Sequence, residues 1–158
     1  MEKLESLINK LEDKIEYSTI SNHKISKSSV GWHIEHALLT TNLIINAIAK
    51  SNPAKYKSKF SFAKLFVFTF KKIPRGKAQA PSSVTPVESF TIEGIKNNFI
   101  TCHNLMKKLS SLNDDNFFEH PFFGQLNLKP SVKFLKIHTK HHLSIINDIL
   151  KSTKVGRK

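Results

Sequence analysis

A single cysteine among 158 residues leaves no partner for a disulfide framework within the monomer. No apolar run is long enough to span a bilayer, and no segment alternates convincingly in the manner of a half-buried strand. The first residues, Met1-Glu2-Lys3, carry charge and lead into no hydrophobic export segment, so cytoplasmic residence is the expectation. Acidic residues are scarce: 12 Asp and Glu face 25 Lys and Arg, for a formal charge of +13. Arginine is scarcer still, with only Arg75 and Arg157, and the lysines are spread along the chain. Dispersed lysine describes a solvated surface, so nucleic-acid binding is not expected. With 39% apolar residues, the chain can bury the core of one domain, expected over residues 1–151.

Helical periodicity accounts for most of that core. Leu4, Leu7, Ile8, Leu11 and Ile15 place a first helix from about Glu2 to Tyr17, followed by a polar loop from Ser18 to Lys27. Ser28 or Ser29 can cap a second helix that runs to about Lys50 and stops at Asn52-Pro53. Its polar strip is narrow, essentially Glu35, Asn42 and Asn46, which makes it central to the domain. Both His33 and His36 fall inside its broad apolar arc, and periodicity alone does not choose between them. A third long helix is expected from about Val87 to Ser111, with Ile92, Ile95, Phe99, Cys102, Met106 and Leu109 as its stripe. Cys102 there reads as a small buried hydrophobe, and His103 lies to one side.

Two connections stand out. Phe60 to Phe70 is apolar on every side of a helical projection and reads as a short helix covering one end of the core, or as a homodimer contact. The competing reading is a membrane-surface or nucleic-acid contact, because Lys57, Lys59, Lys71, Lys72, Arg75 and Lys77 flank the aromatics. From Ile73 to Pro86 the prolines at 74, 81 and 86 and Gly76 predict an extended crossing, where Arg75 and Lys77 can draw in an anionic group. Asn113 to Asn116 is then a turn, and Phe117 to Leu126 an aromatic loop. Pro130 suits the start of the last helix, with Ser131 contributing to its cap, and the basic tail 152–158 reads as frayed. Four amphipathic segments with one long connection between the second and third describe an all-α four-helix bundle.

The last helix carries the chemistry. Between Phe134 and Leu150, residues Leu135, His138, His142, Ile145, Ile146 and Ile149 share one arc, with the two histidines near its centre. Imidazoles four residues apart stand one turn above each other and can reach a single metal ion, which then needs a third ligand from elsewhere.

Ser29-Val30-Gly31-Trp32-His33-Ile34-Glu35-His36 resembles the DinB/YfiT-like superfamily, in which a Ser-Val-Gly opens the second helix and a histidine five residues after the glycine is a metal ligand. His138 to His142 is similar to that superfamily's His-x-x-x-His on the last helix, with His141 directly before the second ligand. The segments 74–81 and 120–126 look like a DinB-like subgroup whose domain has no assigned function. The resemblance implies a bundle of up-down-down-up topology, and it selects His36, His138 and His142 as the metal ligands. Leu143-Ser144-Ile145 stands where relatives often carry Arg-Gly-Gln, a departure that touches substrate choice rather than metal binding.

Three neutral imidazoles on a divalent ion leave a position for water or substrate. Zinc or nickel is the expected cofactor, with iron or manganese as alternatives. The implied activity is transfer of a thiol to a small electrophile, or hydrolysis, with a small-molecule substrate and a thiol cosubstrate. Glu35, His33, His120 and His141 are the acid-base or ligand-orienting candidates. The alternative is a non-catalytic, stress-associated binding module, with a structural metal or none and a basic aromatic face for an anionic partner.

Overall fold

Serine and threonine side chains set where three of the helices begin. Ser29 Oγ accepts from the Trp32 amide (3.3 Å) and opens α2, Val30–Lys50. Ser61 Oγ accepts from the Lys64 amide (3.3 Å) at the start of α3, Phe62–Phe70, and Thr91 from the Gly94 amide (2.9 Å) at the start of α4, Ile92–Lys108. Each cap satisfies an amide that the helix itself leaves without a partner. The computed structural model describes residues 3–76, 82–86 and 90–155. Before α2 lies α1, Leu4–Glu12; after α4 come the strands β1, Phe117–His120, and β2, Gly124–Asn127, and then α5, Leu128–Val155.

The described chain is mostly helical. α2 packs on α4 and α5, and α1 on α5 and α4. Ile34, Leu38, Ile45 and Ile48 of α2, Ile95 of α4 and Leu135, Ile146 and Ile149 of α5 are fully buried between them. Each such side chain contributes about 1.5–3 kcal/mol of transfer free energy, so this shared core holds the helices in register.

The sequence expectations change at several joints. The first helix ends at Glu12, and a separate 3₁₀ turn, Ile15–Tyr17, follows it. Asn42, expected on a polar strip, is buried, and its Nδ2 donates to the Asn98 carbonyl of α4 (3.2 Å) because α4 covers that side. The expected start of the third helix at Val87 lies outside the described residues. α5 begins two residues before Pro130, which therefore sits in its first turn, and it continues past Leu150 to Val155. Ser131 is no cap: its hydroxyl donates to the carbonyls of Leu126 and Asn127 (2.8 and 2.7 Å).

The expected aromatic loop is a β-hairpin, a small two-stranded addition to an otherwise helical fold and a correction to the expectation of no strand. Phe118 pairs with Leu126 and His120 with Gly124, around a turn at residues 121–123 closed by Gly124 at φ +68°. Phe118 and Leu126 are buried on its inner face. Strands of four residues are too short to show a period of two, and phenylalanines on both faces hide what alternation there is. Asn116 anchors the hairpin to the end of α2, donating to the carbonyls of Ile48 and Ser51 (3.1 Å each).

Candidate metal centre

The first turn of α2 is fixed from both sides. Its amides at Val30 and Gly31 donate to the carbonyls of Ile20 and Ser18 (2.9 and 2.8 Å). A Cβ on Gly31 would lie 2.2 Å from the ring of Phe90, so only glycine lets that ring lie against the helix. This clamped turn carries Trp32 and His33, and the next turn carries His36. α5 brings His138, His141 and His142 to the same place, and the hairpin brings His120.

His36, His138 and His142 converge: one nitrogen of each lies within 4.8 Å of the others, and all three side chains are buried. Their ring centroids are 4.6–5.1 Å apart. His36 Nδ1 donates to the Val84 carbonyl (2.7 Å), which leaves the lone pair on Nε2. Trp32 stacks on that ring at 5.0 Å, with 12° between the planes, and holds its orientation.

His142 Nδ1 lies 3.0 Å from His33 Nδ1, and His33 Nε2 lies 2.9 Å from Ser26 Oγ. One of the two Nδ1 atoms must carry the proton. With His142 donating to His33 and His33 Nε2–H donating to Ser26, the His142 Nε2 lone pair is left for an ion. His138 Nδ1 is buried and has no hydrogen-bond partner among the described residues. An unmet buried nitrogen costs about 1–3 kcal/mol, a cost that ligation of an ion would offset.

The cluster is electrically suited to a cation because its rings are neutral. Burial holds the His138 and His142 imidazoles well below their ordinary range, and the neighbouring histidines add to the effect. His36 is lowered by burial against the opposing pull of its bond to Val84. His33 is lowered to about 4, first by burial and then by His36, His141 and Arg75. Neutral imidazoles present lone pairs instead of repelling a divalent ion. The donor set, the burial and the unmet nitrogen therefore all fit such an ion.

A cavity of about 570 Å³ adjoins the cluster. Its walls are mostly apolar: Ala63 and Val67 of α3, Phe118 and Phe123 of the hairpin, and Phe134 of α5. Thr40 lines it too, with its hydroxyl oxygen buried and without a partner among the described residues. A groove of about 590 Å³ between α1 and α5, around Lys10, Asp13 and Asp148, lies apart from the histidines.

The acid-base candidates separate in space. His120 lines the cavity, stacked on Phe123 at 3.9 Å, and burial lowers it to about 4. Its Nδ1 accepts from the Phe122 amide (3.1 Å), so the other nitrogen carries the proton and offers a donor. His141 also lines the cavity and is lowered, by burial and then by Arg75 and His36. Glu35 does not line it; burial raises its carboxyl, and Oε2 has no partner among the described residues. Cys102 is buried in α4 with its thiol pushed up to about 12, and His103 pairs with Glu12 at 3.6 Å, so neither belongs to the cluster. Arg75, expected to draw in an anionic group, is tied to Asp148 (2.7 Å) and the Ser144 hydroxyl (3.0 Å). Lys77 lies outside the described residues.

Sequence reasoning missed Trp32, Thr40 and the Val84 carbonyl. The first two stand four residues before and after His36, the helical spacing of neighbours, and were open to that inference. Val84 comes from a 3₁₀ turn, Ser82–Val84, in the proline-rich crossing and left no signal. The chain matches no family model, no curated protein and no solved structure.

Proposed function

We propose that this chain binds one divalent metal ion through His36, His138 and His142 and acts as a metal-dependent enzyme of the DinB-like type. The observation that supports this most strongly is the convergence of three buried, neutral imidazoles beside an apolar cavity. In this reading α1, α2, α4 and α5 are the four helices of a DinB-like bundle, and α3 and the hairpin are additions that wall the cavity. Zinc or nickel suits the all-nitrogen ligand set best, with iron or manganese as alternatives.

A bound divalent ion would supply Lewis acidity, favouring the deprotonated form of a water or thiol and polarising a carbonyl. The chain's own groups supply the rest. His33 is a positioning residue that orients His142, and Val84 and Trp32 do the same for His36. His120 offers an N–H donor to a substrate oxygen. The aromatic walls exclude water and favour a small, largely apolar electrophile, the substrate of a thiol transferase or a hydrolase.

The test is elemental analysis of tag-free protein purified without chelator, beside His138→Ala. About one metal ion per chain, lost in the variant, is the expected result, and a screen of thiol and electrophile pairs follows with that metal. A non-catalytic binding module is the second reading, favoured by the exposed aromatic face of α3. It requires a folded wild type that takes up no metal after reconstitution, or holds one that no small molecule reaches.

A further inference from the structure

α3 is oriented against the usual rule for an amphipathic helix. Only Val67 is buried along it, while Phe62, Leu65, Phe66 and Phe70 are 79, 54, 49 and 60% exposed. At 100° per residue these four share one outward arc, and Val67 and Phe68 face inward. Phe60, 73% exposed, extends the patch at one end, and Phe122 at the hairpin tip, 57% exposed, lies beside it. Ser61 Oγ donates to the Phe122 carbonyl (3.0 Å) and the Lys57 amide to Gln125 Oε1 (2.7 Å), so helix and hairpin present one continuous surface.

The charge flanking α3 has one sign, and the hairpin adds a single exposed acid, Glu119. No Asp or Glu occurs from residue 36 to residue 87, a stretch that contains eight lysines and Arg75. Lys57 and Lys59 precede the helix, Lys71 and Lys72 follow it, and all four are exposed. A second copy of the chain docking here would set lysine against lysine. Single-stranded nucleic acid needs flat ring faces, but Phe60 meets Phe62 edge-on at 86°, and the single arginine nearby is bound to Asp148. Phenylalanines outward with lysines at the margins suit an acyl layer below anionic headgroups.

We infer that α3 and the hairpin tip dock this protein on the surface of an anionic phospholipid bilayer. The helix lies in the interface rather than crossing it, since no helix among the described residues is long and apolar enough to span a membrane. The inner side of the same helix lines the cavity through Ala63 and Val67. Docking therefore brings the cavity wall to the acyl boundary. If the metal-enzyme reading above holds, a lipophilic substrate has a direct route in, but the docking itself does not rest on that reading.

The experiment is vesicle co-sedimentation at low and high salt. It compares phosphatidylcholine vesicles with vesicles of equal parts phosphatidylcholine and phosphatidylglycerol. The expected result is binding to the anionic vesicles, at least about tenfold weaker without phosphatidylglycerol and weakened by salt. The double variant Phe62→Ser/Phe66→Ser should lose at least about tenfold while keeping its helical circular dichroism and its thermal unfolding midpoint. Lys57→Gln/Lys59→Gln/Lys72→Gln should lose only the anionic preference. No binding to either vesicle overturns the inference, as does undiminished binding by the phenylalanine variant. So does a dimer in solution broken by the phenylalanine changes, or tighter binding to an oligonucleotide than to vesicles.

Discussion

Helices α2 and α3 are both more apolar than α1, α4 or α5, yet they are used in opposite ways. α2 buries 13 of its 21 residues, and α3 only one of nine. The difference lies in what surrounds them. α2 is covered by two long helices, which enclose its polar groups: its two histidines became part of a bonded cluster, while Glu35, Thr40 and Asn42 each keep a buried oxygen without a partner among the described residues. α3 has loop on both sides and touches the rest of the fold mainly through Val67 and Phe68. Apolar sequence thus makes a core only where topology supplies something to cover it; elsewhere it makes a surface.

Matched substitutions break or sharpen this contrast. Phe99, 1% exposed in α4, should cost about 3–5 kcal/mol when changed to alanine, and Phe62→Ala should stay within about 0.5 kcal/mol, both read by chemical denaturation. Equal effects would mean that α3 is packed in solution. Within the cluster, His36→Ala and His142→Ala should lower metal affinity by at least about a hundredfold, and His33→Ala, which removes only the partner of His142, by about ten- to a hundredfold. Titration calorimetry distinguishes the two classes.

Acid should act on the histidine side of the comparison. His33 and His120 are held at about 4 in the folded chain, against about 6.5 for the free side chain. The unfolded chain therefore takes up protons first as the pH falls, and the folded state follows only near 4. The stability of metal-free protein should be complete above about pH 6.5 and decline between there and 4, at up to about 1.4 kcal/mol per pH unit for each of these groups. Denaturation midpoints that stay flat over this window would show that the rings are hydrated. The smallest effect belongs to the exposed Arg75–Asp148 pair, where Arg75→Ala should cost less than about 1 kcal/mol in thermal unfolding.

Much of this was legible in the sequence. The stripes of α1, α2 and α5 follow from the 3.6-residue period, and so do Ile95, Phe99 and Cys102 of α4, although Ile92 of that expected stripe is exposed and Leu105 is buried more deeply than Met106; Ser29, one of two residues able to cap α2, is its cap. His138 and His142 were placed together by their spacing alone. The choice of His36 over His33 was not available from period, since both fall on the buried arc; it came from the resemblance. In the structure the two rings sit on the same cluster in different places, His36 converging with His138 and His142 and His33 bonded behind His142. The hairpin was hidden because its pairing is set by the turn at Gly124 and by Asn116 reaching back to α2, contacts 65 and more residues apart. The inversion of α3 was hidden for a related reason. A run that is apolar all round states no preference for which face is covered.

The most direct measurement of the metal site is Co²⁺ titration of metal-free protein, followed by visible absorption. The expected result is one ion per chain with ligand-field bands. These bands should be lost in His36→Ala, His138→Ala and His142→Ala, weakened in His33→Ala, and kept in His141→Ala and His103→Ala. If the first three variants bound cobalt as the wild type does, or if the folded wild type bound none, the three-histidine centre would be contradicted.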